Sequence, residues 1–157
     1  MGQRNYLFDK FNLMSDNLTA YTAAQISKVA ATNVILDLGG ALTRTDIGIV
    51  GGLARMDAAI VIDVSAMVAG ATNLYDIFVL GSNSASGANP QVLGSMRLGN
   101  NAVMPNGGIT NVVGRYEILM ASEQADVNYE FIYLWVVPQG TTPSITFNAF
   151  LAQLPEI

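Results

Sequence analysis

The sequence predicts an all-β protein, an antiparallel sandwich with an extended N-terminal arm. Three observations carry that expectation. From Asn33 onward, short runs rich in β-branched and aromatic residues recur at regular intervals, each bounded by turn residues. Several runs alternate apolar and polar side chains, the period of a half-buried strand. No segment carries a strong helical period, and strands without helices pack as sandwiches.

The arm comes first. Residues 1 to about 32 have no sustained period, with Phe8, Phe11, Leu13, Met14 and Leu18 spaced irregularly among polar residues. Ala20 to Ala31 is small and weakly amphipathic, suited to a helical turn or an extended strap. Such a segment cannot bury itself, so it must be held by the body or by a neighbouring subunit. The second is the expectation here, with Phe8, Phe11, Leu13, Met14 and Leu18 as the contacts.

The body, residues 33–157, contains seven expected strands: Val34–Leu38, Ala58–Ala66, Leu74–Gly81, Val92–Leu98, Gly114–Ala121, Tyr129–Val137 and Ser144–Ala152. Turn signals between them include Gly51-Gly52, Ser82-Asn83-Ser84, Gly99-Asn100-Asn101 and Gln139-Gly140. Ile60, Ile62 and Val64 share one face against Val61, Asp63 and Ser65. Tyr116, Ile118 and Met120 likewise oppose Glu117, Leu119 and Ala121, and Ile145, Phe147, Ala149 and Leu151 oppose Thr146, Asn148 and Phe150. Tyr129–Val137 is apolar on both faces, with Tyr129, Phe131, Tyr133 and Trp135 on one side and Ile132, Leu134 and Val136 on the other. That places it centrally or at a subunit contact.

Composition narrows the function. The chain of 157 residues is the size of one ordinary domain and can bury a full core. It has no His and no Cys, and 12% of its residues are charged against a usual ~25%. Half of it (51%) is apolar, yet no run approaches the ~20 residues of a membrane helix. The N-terminus has no signal-peptide core, so no secretion signal is expected. So much apolar sequence means either an oversized core or surface meant for other subunits, and the low charge favours the second. Residues 56–157 hold only Arg97 and Arg115 against eight acids, a net −6 within the chain's −5 total. An acidic body is a poor partner for phosphates, so no nucleic-acid binding is expected.

Chemistry has few places to hide. Without His, the common nucleophilic triads are excluded. Lys10 and Lys28 lie in the arm without a Ser-x-x-Lys spacing. Asp63, Asp76, Glu117 and Glu130 include candidates for a carboxylate pair, but ion pairs with Arg97 and Arg115 account for such residues more simply. Asn100-Asn101 and Glu123–Asn128 lack calcium-loop spacing, and the second reads as a hairpin. The aromatic row Tyr129, Tyr133 and Trp135 suits sugar stacking, although a core or an interface uses such residues more often. Gly39-Gly40 and Gly51-Gly52 lack the strand-to-helix context of a phosphate loop and read as turns. The sequence predicts no enzyme, no cofactor and no metal.

Short motifs then carry a resemblance. Asp9-Lys10-Phe11-Asn12-Leu13-Met14-Ser15-Asp16-Asn17-Leu18, Ala31-Thr32-Asn33-Val34-Ile35-Leu36-Asp37-Leu38-Gly39, Asp46-Ile47-Gly48-Ile49-Val50-Gly51-Gly52 and Gly114-Arg115-Tyr116 stand in the order seen in small tailed-phage capsid cement proteins. The chain resembles the cement family of the Bordetella-type podoviruses, departing from it at Ile49-Val50 and at the extra Leu36. The resemblance implies a jelly-roll decoration protein on the outer surface of an icosahedral virion head, bridging major capsid proteins. The apolar surface adds an expectation of self-association as a dimer or trimer, with Tyr133 and Trp135 at the contact. The alternative is a carbohydrate- or receptor-binding sandwich module of a phage tail.

Overall fold

The computed structural model describes residues 12–38, 55–104 and 110–153. Among them the chain is all β. Five short strands come first: β1 (Leu13–Asp16), β2 (Gln25–Ile26), β3 (Lys28–Val29), β4 (Thr32–Asn33) and β5 (Leu36–Asp37). The long strands follow as β6 (Asp57–Met67), β7 (Leu74–Ser82), β8 (Gln91–Gly99) and β9 (Gly114–Ala121). A hairpin of β10 (Glu123–Gln124) and β11 (Val127–Asn128) leads into β12 (Phe131–Gln139) and β13 (Ile145–Gln153).

Two antiparallel sheets form the sandwich. Sheet A has the order β1-β13-β6-β9, and sheet B has β2-β12-β7-β8 with β5 also on β12. Take β2 and β5 as one position and leave out the small hairpins. Eight positions remain, in which the first pairs with the last and the second with the seventh. The third lies between the last and the sixth, and the fourth between the seventh and the fifth. That is jelly-roll connectivity, two Greek keys wound into facing sheets.

Alternation decides what each strand buries. Ile60, Ile62, Val64, Ile118, Met120, Phe147, Ala149 and Leu151 of sheet A meet Tyr75, Ile77, Val79, Leu98, Ile132, Leu134 and Val136 of sheet B in one core. Val61, Phe150 and Ala152 form a smaller buried cluster on the other side of sheet A. Where β8 runs close to β9, Gly94 is required: a Cβ there would lie 2.8 Å from Ile118 Cγ2 and 3.1 Å from the Leu119 carbonyl oxygen.

The arm is the main departure from expectation. Residues 13–33 are woven into both sheets, so residue 32 does not separate an arm from a body among the described residues. β1 pairs with β13, Tyr21 bridges Ile145, and β2 pairs with β12. A bulge between Leu13 and Ser15 lets the neighbours Met14 and Ser15 both be buried. Ser15 Oγ donates to the Phe147 carbonyl and lies 2.8 Å from the Tyr21 hydroxyl, which accepts from the Lys28 amide at 2.9 Å. The Tyr21 ring stacks on Phe147 with centroids 5.0 Å apart. Ala20 to Ala31 is extended rather than helical, and the expected strand Val34–Leu38 shrinks to Leu36–Asp37.

Candidate binding surface

The outward face of sheet B is a ladder of large side chains. Register and alternation place Tyr133 beside Leu80, with Val92 beyond. The next rung runs Ile26, Trp135, Phe78, Ser95 across four strands. The rung after that is Val137, Asp76, Arg97. Directly opposite side chains on one face of a sheet sit ~5 Å apart at Cβ, so each rung is a line of contacts.

The ladder has a closed half and an open half. The loop between β7 and β8 folds over Tyr133, leaving it 4% exposed. The Tyr133 hydroxyl donates to the Gly87 carbonyl at 2.9 Å, and Ser82 Oγ donates to the Ala88 carbonyl. Gly87 has φ +74°, and a Cβ there would lie 2.8 Å from Tyr133 Cε1, so glycine is needed twice over. Burial pushes the Tyr133 hydroxyl above its ordinary pKa.

Beyond Tyr133 the face opens. Trp135, Phe78 and Ile26 are partly exposed. Arg97 forks onto Asp76, with Nε to Oδ1 at 2.6 Å and Nη2 to Oδ2 at 3.1 Å. Gln139 Nε2 adds a third bond to Asp76 Oδ2 at 2.9 Å. The Asp76 side chain is only 10% exposed whereas that of Arg97 is 45% exposed, so the carboxylate anchors and the guanidinium is presented. The hydrogen bond to Asp76 is the main reason the Arg97 pKa is raised. A depression of about 290 Å³ lies here, lined by Asp76, Phe78, Ser95, Met96 and Arg97.

A second surface is apolar. Val112 and Val113, 67% and 55% exposed, lead into β9, whose outward Leu119 is 57% exposed. The Tyr116 hydroxyl donates to the Val112 carbonyl at 2.6 Å and fixes this approach.

The expected contact residues scatter. Phe8 and Phe11 lie outside the described residues, as do Gly39-Gly40 and Gly51-Gly52. Met14 is fully buried and Tyr133 nearly so, which corrects both as partner contacts: the bulge turns one inward and the loop covers the other. Leu13 is partly buried at the β1–β13 edge, Leu18 is 80% exposed, and Trp135 is on the open half of the ladder. The carboxylates separate. Asp63 pairs with Arg115 at 2.7 Å on sheet A, and Asp76 pairs with Arg97 on sheet B. Asn100 and Asn101 spend their side-chain amides on Ala69, Ala102 and Thr110. Glu123–Asn128 is a hairpin turning through Ala125 and Asp126, both with positive φ. Sequence reasoning missed Phe78 as the cross-strand neighbour of Trp135 and Gln139 as a partner of Asp76, since only strand register brings them together.

No family model and no curated protein matches the chain. Among solved structures it is similar to the CBM22-1 and GH10 modules of Clostridium thermocellum endo-1,4-β-D-xylanase 10B, determined with xylohexaose. The identity is 10% and the TM-score 0.35, over 92% of this chain and 26% of that one. The chain thus spans about a quarter of that protein's length, and superposition at this level assigns neither fold family nor ligand.

Proposed function

We propose that the chain is a structural adhesion protein, a capsid cement that binds the outside of an icosahedral phage head and bridges neighbouring major capsid proteins. The observation that carries this reading is the edge of sheet A, where Leu119 on β9 and Val112 and Val113 just before it stand more than half exposed. Single exposed apolar residues are ordinary, but three within eight positions along one sheet edge offer apolar area that gains by being covered. The motif order in the sequence supports the same reading. Adhesion of this kind draws on apolar area, worth ~25 cal/mol per Å² before association costs, and on repetition over many sites.

The test is decoration of heads that lack the protein, followed by cosedimentation and a cryo-EM map. Leu119→Glu combined with Val113→Glu is expected to abolish decoration while leaving the melting temperature nearly unchanged. Decoration is also expected to change little up to about 0.5 M salt, since exposed ion pairs contribute only ~0–1 kcal/mol each. Full decoration by the double variant, or its loss on adding salt, overturns this interface. A second reading, a glycan- or receptor-binding module, draws on a different observation: the partly exposed Phe78 and Trp135 beside the Asp76–Arg97–Gln139 cluster.

A further inference from the structure

The depression between β7 and β8 combines three properties whose coincidence specifies a ligand chemistry. The first is an aromatic wall. Phe78 lines the depression, and Trp135 is its cross-strand neighbour on the same face of β12. A ring ligand with an apolar face gains there by dispersion and by loss of hydrated area.

The second is a fixed polar rim. Arg97 commits two of a guanidinium's five N–H donors to Asp76, which orients the planar group and leaves donor capacity directed outward. The bond from Gln139 holds the same carboxylate at Oδ2. Ser95, exposed on β8, adds a hydroxyl able to donate and accept.

The third property is charge balance. Asp76 and Arg97 together carry no net charge and Gln139 is neutral, so the rim offers hydrogen bonds through the more exposed guanidinium. The volume of about 290 Å³ stands at the lower end of the ~300–1,000 Å³ of small-molecule sites. A single sugar ring fits within that space.

A neutral ring with one apolar C–H face and a periphery of hydroxyls is a pyranose. We propose that this depression is a subsite for one neutral pyranose unit of a glycan, stacked on Phe78 and hydrogen-bonded by Arg97 and Ser95. The proposal rests on the binding-module reading and is independent of capsid adhesion.

Trp135 is the chain's one tryptophan, so its emission reports on this face alone. The experiment titrates the full chain with cellohexaose, mannohexaose, maltohexaose and chitohexaose into the millimolar range, and screens it on a glycan array. At least one sugar is expected to shift Trp135 emission saturably. Phe78→Ala is expected to weaken that binding about tenfold, the equivalent of ~1.4 kcal/mol. Ser95→Tyr fills the depression from an exposed position and is expected to abolish binding with little change in melting. It keeps the test decisive if Phe78→Ala unfolds. Val127→Ser, on the β10–β11 hairpin, is the control and should bind as wild type. Sugar binding that persists in Ser95→Tyr overturns this subsite but leaves the module reading standing. Failure of every sugar and of the array overturns both, while head decoration judges the adhesion reading separately.

Discussion

Tyr133 and Trp135 sit on the same strand and the same face, one alternation apart, yet they have opposite fates. The loop between β7 and β8 closes over Tyr133 and takes its hydroxyl as a donor to Gly87. Trp135 is left on the open part of the ladder, beside Phe78. Nothing intrinsic to the two side chains separates core from surface here. The difference is made by a loop more than forty residues away, and by one glycine that lets it come close.

Substitutions on β12 put that contrast to the test. Tyr133→Ala is expected to cost about 4 kcal/mol, the scale of an aromatic removed from a packed site, in urea unfolding followed by circular dichroism. Trp135→Ala should cost about 2 kcal/mol, because part of its ring already stands in water and the site can fill with solvent. Equal losses at the two positions would erase the distinction between closed and open halves.

Gly87→Ala tests the hinge of the closed half without touching β12. Its φ of +74° and the 2.8 Å approach to Tyr133 predict a loss of about 1–2 kcal/mol in thermal melts. No loss would mean that the loop adapts freely and that Tyr133 is covered by chance.

The smallest effect is on pH dependence. The Tyr133 hydroxyl is raised above its ordinary 10.0 by burial. The folded state therefore keeps that proton longer than the unfolded chain does. The stabilisation is complete below pH 10.0 and drains away as pH rises beyond it. Tyr21, raised mainly by burial as well, adds to the same limb. Tyr133→Phe should make the alkaline fall in unfolding midpoint shallower, and Trp135→Ala should leave its slope unchanged. An unchanged slope in Tyr133→Phe would place the alkaline transition elsewhere.

Much of the fold was legible because the long strands announce themselves. Ile60, Ile62 and Val64, or Ile145, Phe147 and Ala149, alternate so regularly that local sequence names both strand and face. β1 and β2 were hidden because four and two residues are too short to show a period, and the bulge at Met14 breaks the one that exists. The two-sided apolar character of β12 was visible, but which of its outer aromatics is covered was not. That depends on Gly87 meeting Tyr133 across 46 positions of chain. Ion pairing by Arg97 was expected without a named partner, and the choice of Asp76 and the place of the pair beside Phe78 follow only from register.

The pairing of β1 with β13 sets a timetable for the nascent chain. Ser15 and Phe147 are 132 positions apart and share a hydrogen bond of 2.8 Å. A ribosome must have delivered Ile145–Gln153 before Leu13–Asp16 has a strand to lie against. Until then Met14 and Tyr21, both destined for the core, are exposed on an unpaired segment. Loop closure over such a span makes the final docking slow, and the waiting edge is open to other growing chains. The exposed interval lasts until β13 emerges, because β13 lies between β1 and β6 and sheet A has no place for β1 before then.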